Sequence, residues 1–337
     1  LWVLKMNKKG DINLMFKWIF GTIAGAVLLS FFVSFSVTHL EGSKVLEGNK
    51  MVVFIDDKLD ALGLGEGGNV LELEDEFLIG FECGSISAGE WEDDNYAERS
   101  TDKVIFSAGR LEGETINMWT QKWEFPYRVV TFNYLSNLKN YYVLVHDSDN
   151  SDDVLDLANN IPNNMNFQTV GSSDFNPSDF SGQAKYADKF TFVFFGSSDY
   201  TVKRIKNSFY GDVKVEIIEV NLNVNTAKIY NNYGDIEDVF YLGDEMLYGL
   251  IFSGTGYTCA KDRAMERFRT ITQIYNYKVQ RLMGKTNDPD CLNLLNEGRR
   301  MLNTFLSVNS KSEFYNYFEK IERQNRGLRE KSCSTIY

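Results

Sequence analysis

Trp18 to Val37 is a run of 20 residues without a charge, and it constrains this chain more than any other feature. As a helix it spans about 30 Å, the thickness of a bilayer's hydrocarbon core. A cleavable secretion signal has a shorter apolar region, of about 7–15 residues. Length therefore predicts a transmembrane anchor, and the small-x-small triplet Ser34–Ser36 supplies the alternative of a cleavage site. A buried core helix would show a polar face, and none interrupts the run. Lys5, Lys8, Lys9 and Lys17 stand before it against Asp11, a net of +3. Positive flanks stay on the cytoplasmic side, so the chain is expected to run N-in and C-out across a cell membrane in a single pass. Gly21 and Gly25 form a small-xxx-small pair suited to close helix packing, homotypic or heterotypic.

The segment "KKG" followed by "DINLMF" and an apolar run resembles the class III leader of archaeal-type prepilins, over roughly the first 30 residues. The resemblance implies cleavage between Gly10 and Asp11, with the apolar helix retained on the mature protein. Two features depart from that pattern. Lys17 interrupts the start of the apolar stretch, and no glutamate stands five residues after the implied cut.

Charge is segregated along the chain. The whole carries −12, while residues 259–337 hold 15 basic and 9 acidic side chains, or +6. Residues 18–258 hold 16 basic and 37 acidic ones, or −21. A body of that charge repels nucleic acid, which is therefore not an expected partner. The basic tail is expected to dock on it. Membrane lipid is the first expected partner, with a protein or glycan as the second.

The four cysteines, Cys83, Cys259, Cys291 and Cys333, all follow the apolar run, where an oxidising compartment favours disulfides. A first tail helix of about 25 residues would hold Cys259 and Cys291 nearly 40 Å apart, beyond the reach of a disulfide. Antiparallel return of the next two helices brings Cys333 back to Cys291. The expected pairs are thus Cys291–Cys333 and Cys83–Cys259.

The expected organisation is a basic cytoplasmic leader (1–17), a transmembrane helix (18–38), a linker (39–50), an acidic α/β ectodomain (51–257) and a helical C-terminal module (258–337). In the ectodomain "MVVFI" (51–55) reads as a strand. In "NVLELEDEFLIGFEC", Leu71, Leu73, Phe77, Ile79, Phe81 and Cys83 share one side, the period of a strand with one wet face. "ISAGEWEDDNYAERSTD" reads as a polar loop, and "KVIFSA" and "GETINMWTQKW" as paired strands. Beyond Pro126, apolar strands ("NYYVLVHD", "KFTFVFFG", "DVKVEIIEV") alternate with helices ("SDDVLDLANNI", "SSDYTVKRIKNSF"). That order predicts βαβ units and a mixed, partly parallel sheet. "GDEMLYGLIFSG" reads equally as helix or strand. Three amphipathic helices follow from Thr258, the third with Ser310 as its expected N-cap.

Candidate chemistry is sparse. "HDSDNSDD" (His146–Asp153) ends a buried strand, where ligands gather in parallel sheets. Asp147, Asp149 and Ser151 have the 1-3-5 spacing of a calcium loop with Asp153 following, but Asp152 and Ala158 replace its glycine and glutamate. Capping of the next helix is the plainer expectation and calcium the alternative. Gly196 with Ser197 and Ser198 reads as a strand-to-helix turn before a phosphate site. Ser253 in "FSGTG" falls one residue short of a nucleophile elbow. Trp119 and Trp123 read as core, with a glycan- or protein-binding surface as the alternative. The functional expectation is a membrane-anchored extracytoplasmic binding or assembly protein, an accessory of a pilus-like or secretion machine. An extracytoplasmic hydrolase-like enzyme with its site near His146–Asp153 is the alternative.

Overall fold

A computed structural model describes residues 8–63, 65–90, 95–196, 205, 207–209, 213–230, 236–308 and 311–337. The chain is mixed α/β with partly parallel sheets, C-terminal helices and one N-terminal apolar helix.

Helix α1 (Lys8–Leu62) is continuous over 55 residues. It absorbs both the expected linker and the expected strand 51–55, two corrections with one cause. Val52, Ile55 and Leu59 recur at helical spacing and are almost fully buried against the sheet. A five-residue window is too short to reveal that period, and tertiary burial overrides the strand preference of "VVFI". Gly48 lets the helix press close, since a Cβ there would lie 2.5 Å from the Ala88 carbonyl. Asp56 is buried on the same face and is met by Lys103, Arg99 and the Thr101 hydroxyl.

The first sheet holds β1 (Gly67–Glu82), β2 (Ser85–Glu90), β3 (Asn95–Ser100), β4 (Val104–Ser107), β5 (Arg110–Glu124) and β6 (Arg128–Ser136), in the order β3-β2-β1-β5-β6-β4. Strand β1 keeps the expected alternation, with Leu71, Leu73, Ile79 and Phe81 buried across a register shift between Glu72 and Phe77. The expected polar loop is instead the β2–β3 hairpin. Strand β4 runs parallel to β6, so it does not form the expected pair with β5.

The second sheet holds β7 (Asn140–His146), β8 (Phe167–Gly171), β9 (Lys189–Phe195), β10 (Lys214–Asn221), β11 (Thr226–Tyr230) and β12 (Ile236–Phe240). Its order is β12-β11-β10-β9-β7-β8; the last four in that order are parallel, and β11 and β12 are antiparallel. Helix α2 (Ser151–Asn160) joins β7 to β8, as the βαβ reading requires. The helix expected over "SSDYTVKRIKNSF" falls largely outside the described residues.

Helices α3 (Asp244–Ser253) and α4 (Tyr257–Met283) fill the space between the sheets, followed by α5 (Pro289–Ser307) and α6 (Lys311–Glu330). "GDEMLYGLIFSG" is therefore a helix, buried along almost its whole length. Asp288 caps α5 by accepting from the Asp290 and Cys291 amides, with Pro289 in the first turn. Ser310 lies outside the described residues. The basic tail docks as expected, but through apolar packing. Phe268, Phe305 and Phe314 of the three helices join Trp123, Phe125 and Phe132 in one core. Charge contributes at the edge, where Arg263 and Arg267 donate to Thr101 and Asp102. The expected disulfides are both present, with Cα–Cα separations of 5.7 Å (Cys83–Cys259) and 5.6 Å (Cys291–Cys333).

Candidate functional site: an acidic cleft at the strand ends

The parallel strands converge on one edge. From β7 the chain moves outward to β8, then returns past β7 to β9 and β10. Such a reversal leaves a crevice at the carboxyl ends of the two strands that flank it. Here the crevice is a cleft of about 670 Å³. Asp147, Asp149 and Asp153 line one side, and Glu219 and Asp238 the other, with Lys228 among them.

Backbone geometry sets the first side. Asp147 accepts hydrogen bonds from the Asn150 amide (3.0 Å) and side chain (2.7 Å), closing a tight turn before α2. Gly196, at φ +100°, makes room for that carboxylate; a Cβ there would overlap Asp147 Oδ2. Asn150 takes the N-cap position without a side-chain cap bond, while Asp152 and Asp153 occupy the first turn, where the helix dipole favours them. The capping expectation is thus half met: the acidic first turn is present and the side-chain cap is replaced by the Asp147 turn.

Asp149 accepts from the Ser148 hydroxyl at 3.3 Å, and Ser151 opens α2. The calcium-loop spacing of Asp147, Asp149, Ser151 and Asp153 therefore describes a turn and a helix start. Among the described residues no three His, Cys, Asp or Glu side chains come together to hold a metal. Across the cleft Glu219 accepts from the Tyr230 hydroxyl at 2.7 Å. Burial and that carboxylate push the Tyr230 phenol up to about 12. Burial also raises the Asp244 carboxyl, with Asp153 adding to it. The cleft repels anions and concentrates cations.

The remaining sequence candidates are dispersed. His146 Nδ1 lies 3.2 Å from the Asp147 carbonyl, a backbone contact. Ser253 is buried at the end of α3, away from any strand-to-helix elbow. Ser197 and Ser198 lie outside the described residues. Trp119 and Trp123 share the inner face of β5 as core, the latter donating to the Leu242 carbonyl at 3.1 Å. Gly10 and Asp11 fall in the first turn of α1. Gly21 and Gly25 stand open, with no other described residue near the space a side chain would fill.

Sequence reasoning missed a buried ion pair. Lys189 on β9 and Glu216 on β10 meet at 2.6 Å inside the fold, and Glu216 also accepts from the Thr255 amide (3.0 Å) and hydroxyl (2.7 Å). The available signal was one lysine opening the otherwise apolar β9, and a glutamate set between Val215 and Ile217 on β10. The apolar helix and the two disulfides together mark a span or signal followed by an extracytoplasmic domain. No known family, characterised protein or solved structure matches this chain.

Proposed function

We propose that this is a single-pass, N-in/C-out membrane protein whose extracytoplasmic body binds or assembles with partners at the cell surface, as an accessory of a pilus-like or secretion machine. One observation carries the reading. Helix α1 runs without a break from an apolar segment, Phe16–Ser36, that none of the described residues covers, into a segment buried against the first sheet. Apolar surface of that length requires lipid or other helices around it. Continuity of the helix argues for retention, because removal after Ser36 would leave the buried half as a new terminus. The basic leader and the acidic body support the orientation. The open Gly21–Gly25 face supports lateral packing in the membrane.

The test is to purify the native protein from membranes, sequence its N-terminus and identify what accompanies it. A terminus at Asp11 supports prepilin-type processing, and one at Met6 a plain anchor. A terminus beyond Ser36, or recovery in the soluble fraction alone, overturns the anchored reading. Recovery from membranes as a solitary monomer overturns the assembly role.

A further inference from the structure

Above its apolar segment, helix α1 has two faces. One holds the body: Gly48, Val52, Ile55 and Leu59 lie on it, all buried. The other points away from the body, and there Leu46, Val53 and Phe54 are 56%, 41% and 39% exposed, with Lys50 and Asp57 among them. Lys58 shelters Phe54, 5.3 Å from its ring. Lys50 and Asp57 pair with nothing among the described residues, whereas Asp56 and Asp60 are both met by Lys103. An apolar row on the outside of a helix whose inner face already carries the core marks a contact site.

Helical phase joins this outer face to the open side of the apolar segment. About five turns separate Leu28 from Leu46, and Phe35 from Val53, so each pair stands on one line along the rod. About ten turns separate Gly21 from Asp57, which therefore share a side. About seven and a half turns separate Gly21 from Gly48, which puts the body on the opposite side. A second α1 can thus lie along the whole outer face while both bodies stay clear of it.

Charge sets the register. With two copies level, Lys50 and Asp57 would each face their own kind, which opposes pairing. An offset of one heptad, about 10 Å, sets Lys50 against Asp57. The same offset sets Leu46 against Val53, and the exposed Leu28 and Phe32 against Gly21 and Gly25, large side chains against the gaps that the glycines leave. Displacing two apolar spans in this way costs a fraction of a kcal/mol per Å, which the paired charges and the close approach oppose.

We propose that the outer face of α1 binds the same face of a second copy of this chain, offset by one heptad so that Lys50 of one copy meets Asp57 of the next. The proposal rests on the anchored reading above and names the partner and the register. The contact leaves one Lys50 and one Asp57 free at its two ends, so it is heterologous and can add further copies.

Charge exchange provides the test. Two differently tagged forms of the full-length protein are co-expressed, solubilised from membranes in mild detergent and captured through one tag, and the other is measured. Lys50→Glu or Asp57→Lys, each in both forms, should lower co-capture about threefold to tenfold. The double change Lys50→Glu with Asp57→Lys should restore it, since the exchanged charges meet again only across the offset contact. Both positions are exposed, so melting should stay at the wild-type value in all three variants. Co-capture that ignores both single changes, or a loss that the double change does not restore, overturns this interface and leaves the assembly role standing. Wild-type protein that reaches the membrane and shows no co-capture overturns the interface while the anchor holds, and recovery in the soluble fraction alone overturns the anchored reading itself.

Discussion

Replacing Lys189 with methionine isolates the energetics of the buried ion pair. Both partners are more than nine-tenths buried, and their charged atoms are 2.6 Å apart. Burial alone would raise the Glu216 carboxyl. The Lys189 charge and the two Thr255 hydrogen bonds outweigh it and hold the group below the ordinary glutamate range. A carboxyl depressed in the folded state contributes stability above its unfolded pKa, and that contribution is lost as pH falls through the folded value. Wild-type protein should therefore lose this contribution only in acid, below the usual glutamate range. In Lys189→Met the carboxylate stays buried without its cation. Removing one partner of such a pair costs about 3–5 kcal/mol. At about 2–4 °C per kcal/mol, Tm should fall by roughly 6–20 °C at pH 7. The sign of the pH dependence should also invert. Burial now dominates, Glu216 is raised, and the variant should be more stable at pH 5 than at pH 8. The assay is thermal melting of the full-length protein in detergent across pH 4–8. A loss under about 1 kcal/mol at neutral pH, with the wild-type pH profile retained, would mean that the pair contributes no more than an exposed one.

Two further outcomes follow from the packing. Trp123→Phe keeps the aromatic core but leaves the buried Leu242 carbonyl without its 3.1 Å donor; chemical denaturation should show a loss of about 1–3 kcal/mol. The double change Cys291→Ser and Cys333→Ser opens a loop with a sequence separation of 42. It should cost about 4 kcal/mol by the chain-entropy relation, as followed by melting of variant and wild type side by side without reductant.

Much of the second sheet was legible because its strands are buried on both faces. "NYYVLVH" and "KFTFVFF" are near-continuous apolar runs, "KVEIIEV" keeps Val215, Ile217, Ile218 and Val220 buried among its charges, and the turn and α2 between the first of them and the next strand read correctly. The tail helices were legible from their apolar spacing, and that spacing fixed both disulfide pairs. The first sheet was harder for local reasons. Ile86, Ala88 and Ala97 are the buried apolar residues of the β2–β3 pair, and the alanines are small because α1 presses on them at Gly48, so hydropathy registers mainly the polar neighbours. Strand β6 places Asn133 and Ser136 inside, where they bond to Val104, Asn137 and Tyr142, and this hides its alternation. The acidic turn at His146–Asp153 was found from its position at a strand end, but Glu219 and Asp238 come from later strands, beyond β8 and β9, and are joined to it only by topology. Lys189 and Glu216 were passed over for the same reason: a pair needs both strands side by side before either charge has meaning.

At 1.5 Å per residue, α1 is a rod of about 80 Å that is gripped at its far end by Val52, Ile55 and Leu59 and lacks any internal joint. A tether of flexible residues would let the body tumble above its attachment point. A stiff shaft does the opposite. Tilting, turning or drawing the apolar half by whatever surrounds it moves the first sheet by the same rotation or displacement, and a load on the body is felt at Gly21 and Gly25. On the anchored reading proposed above, position and torque, rather than proximity alone, are what such an attachment transmits.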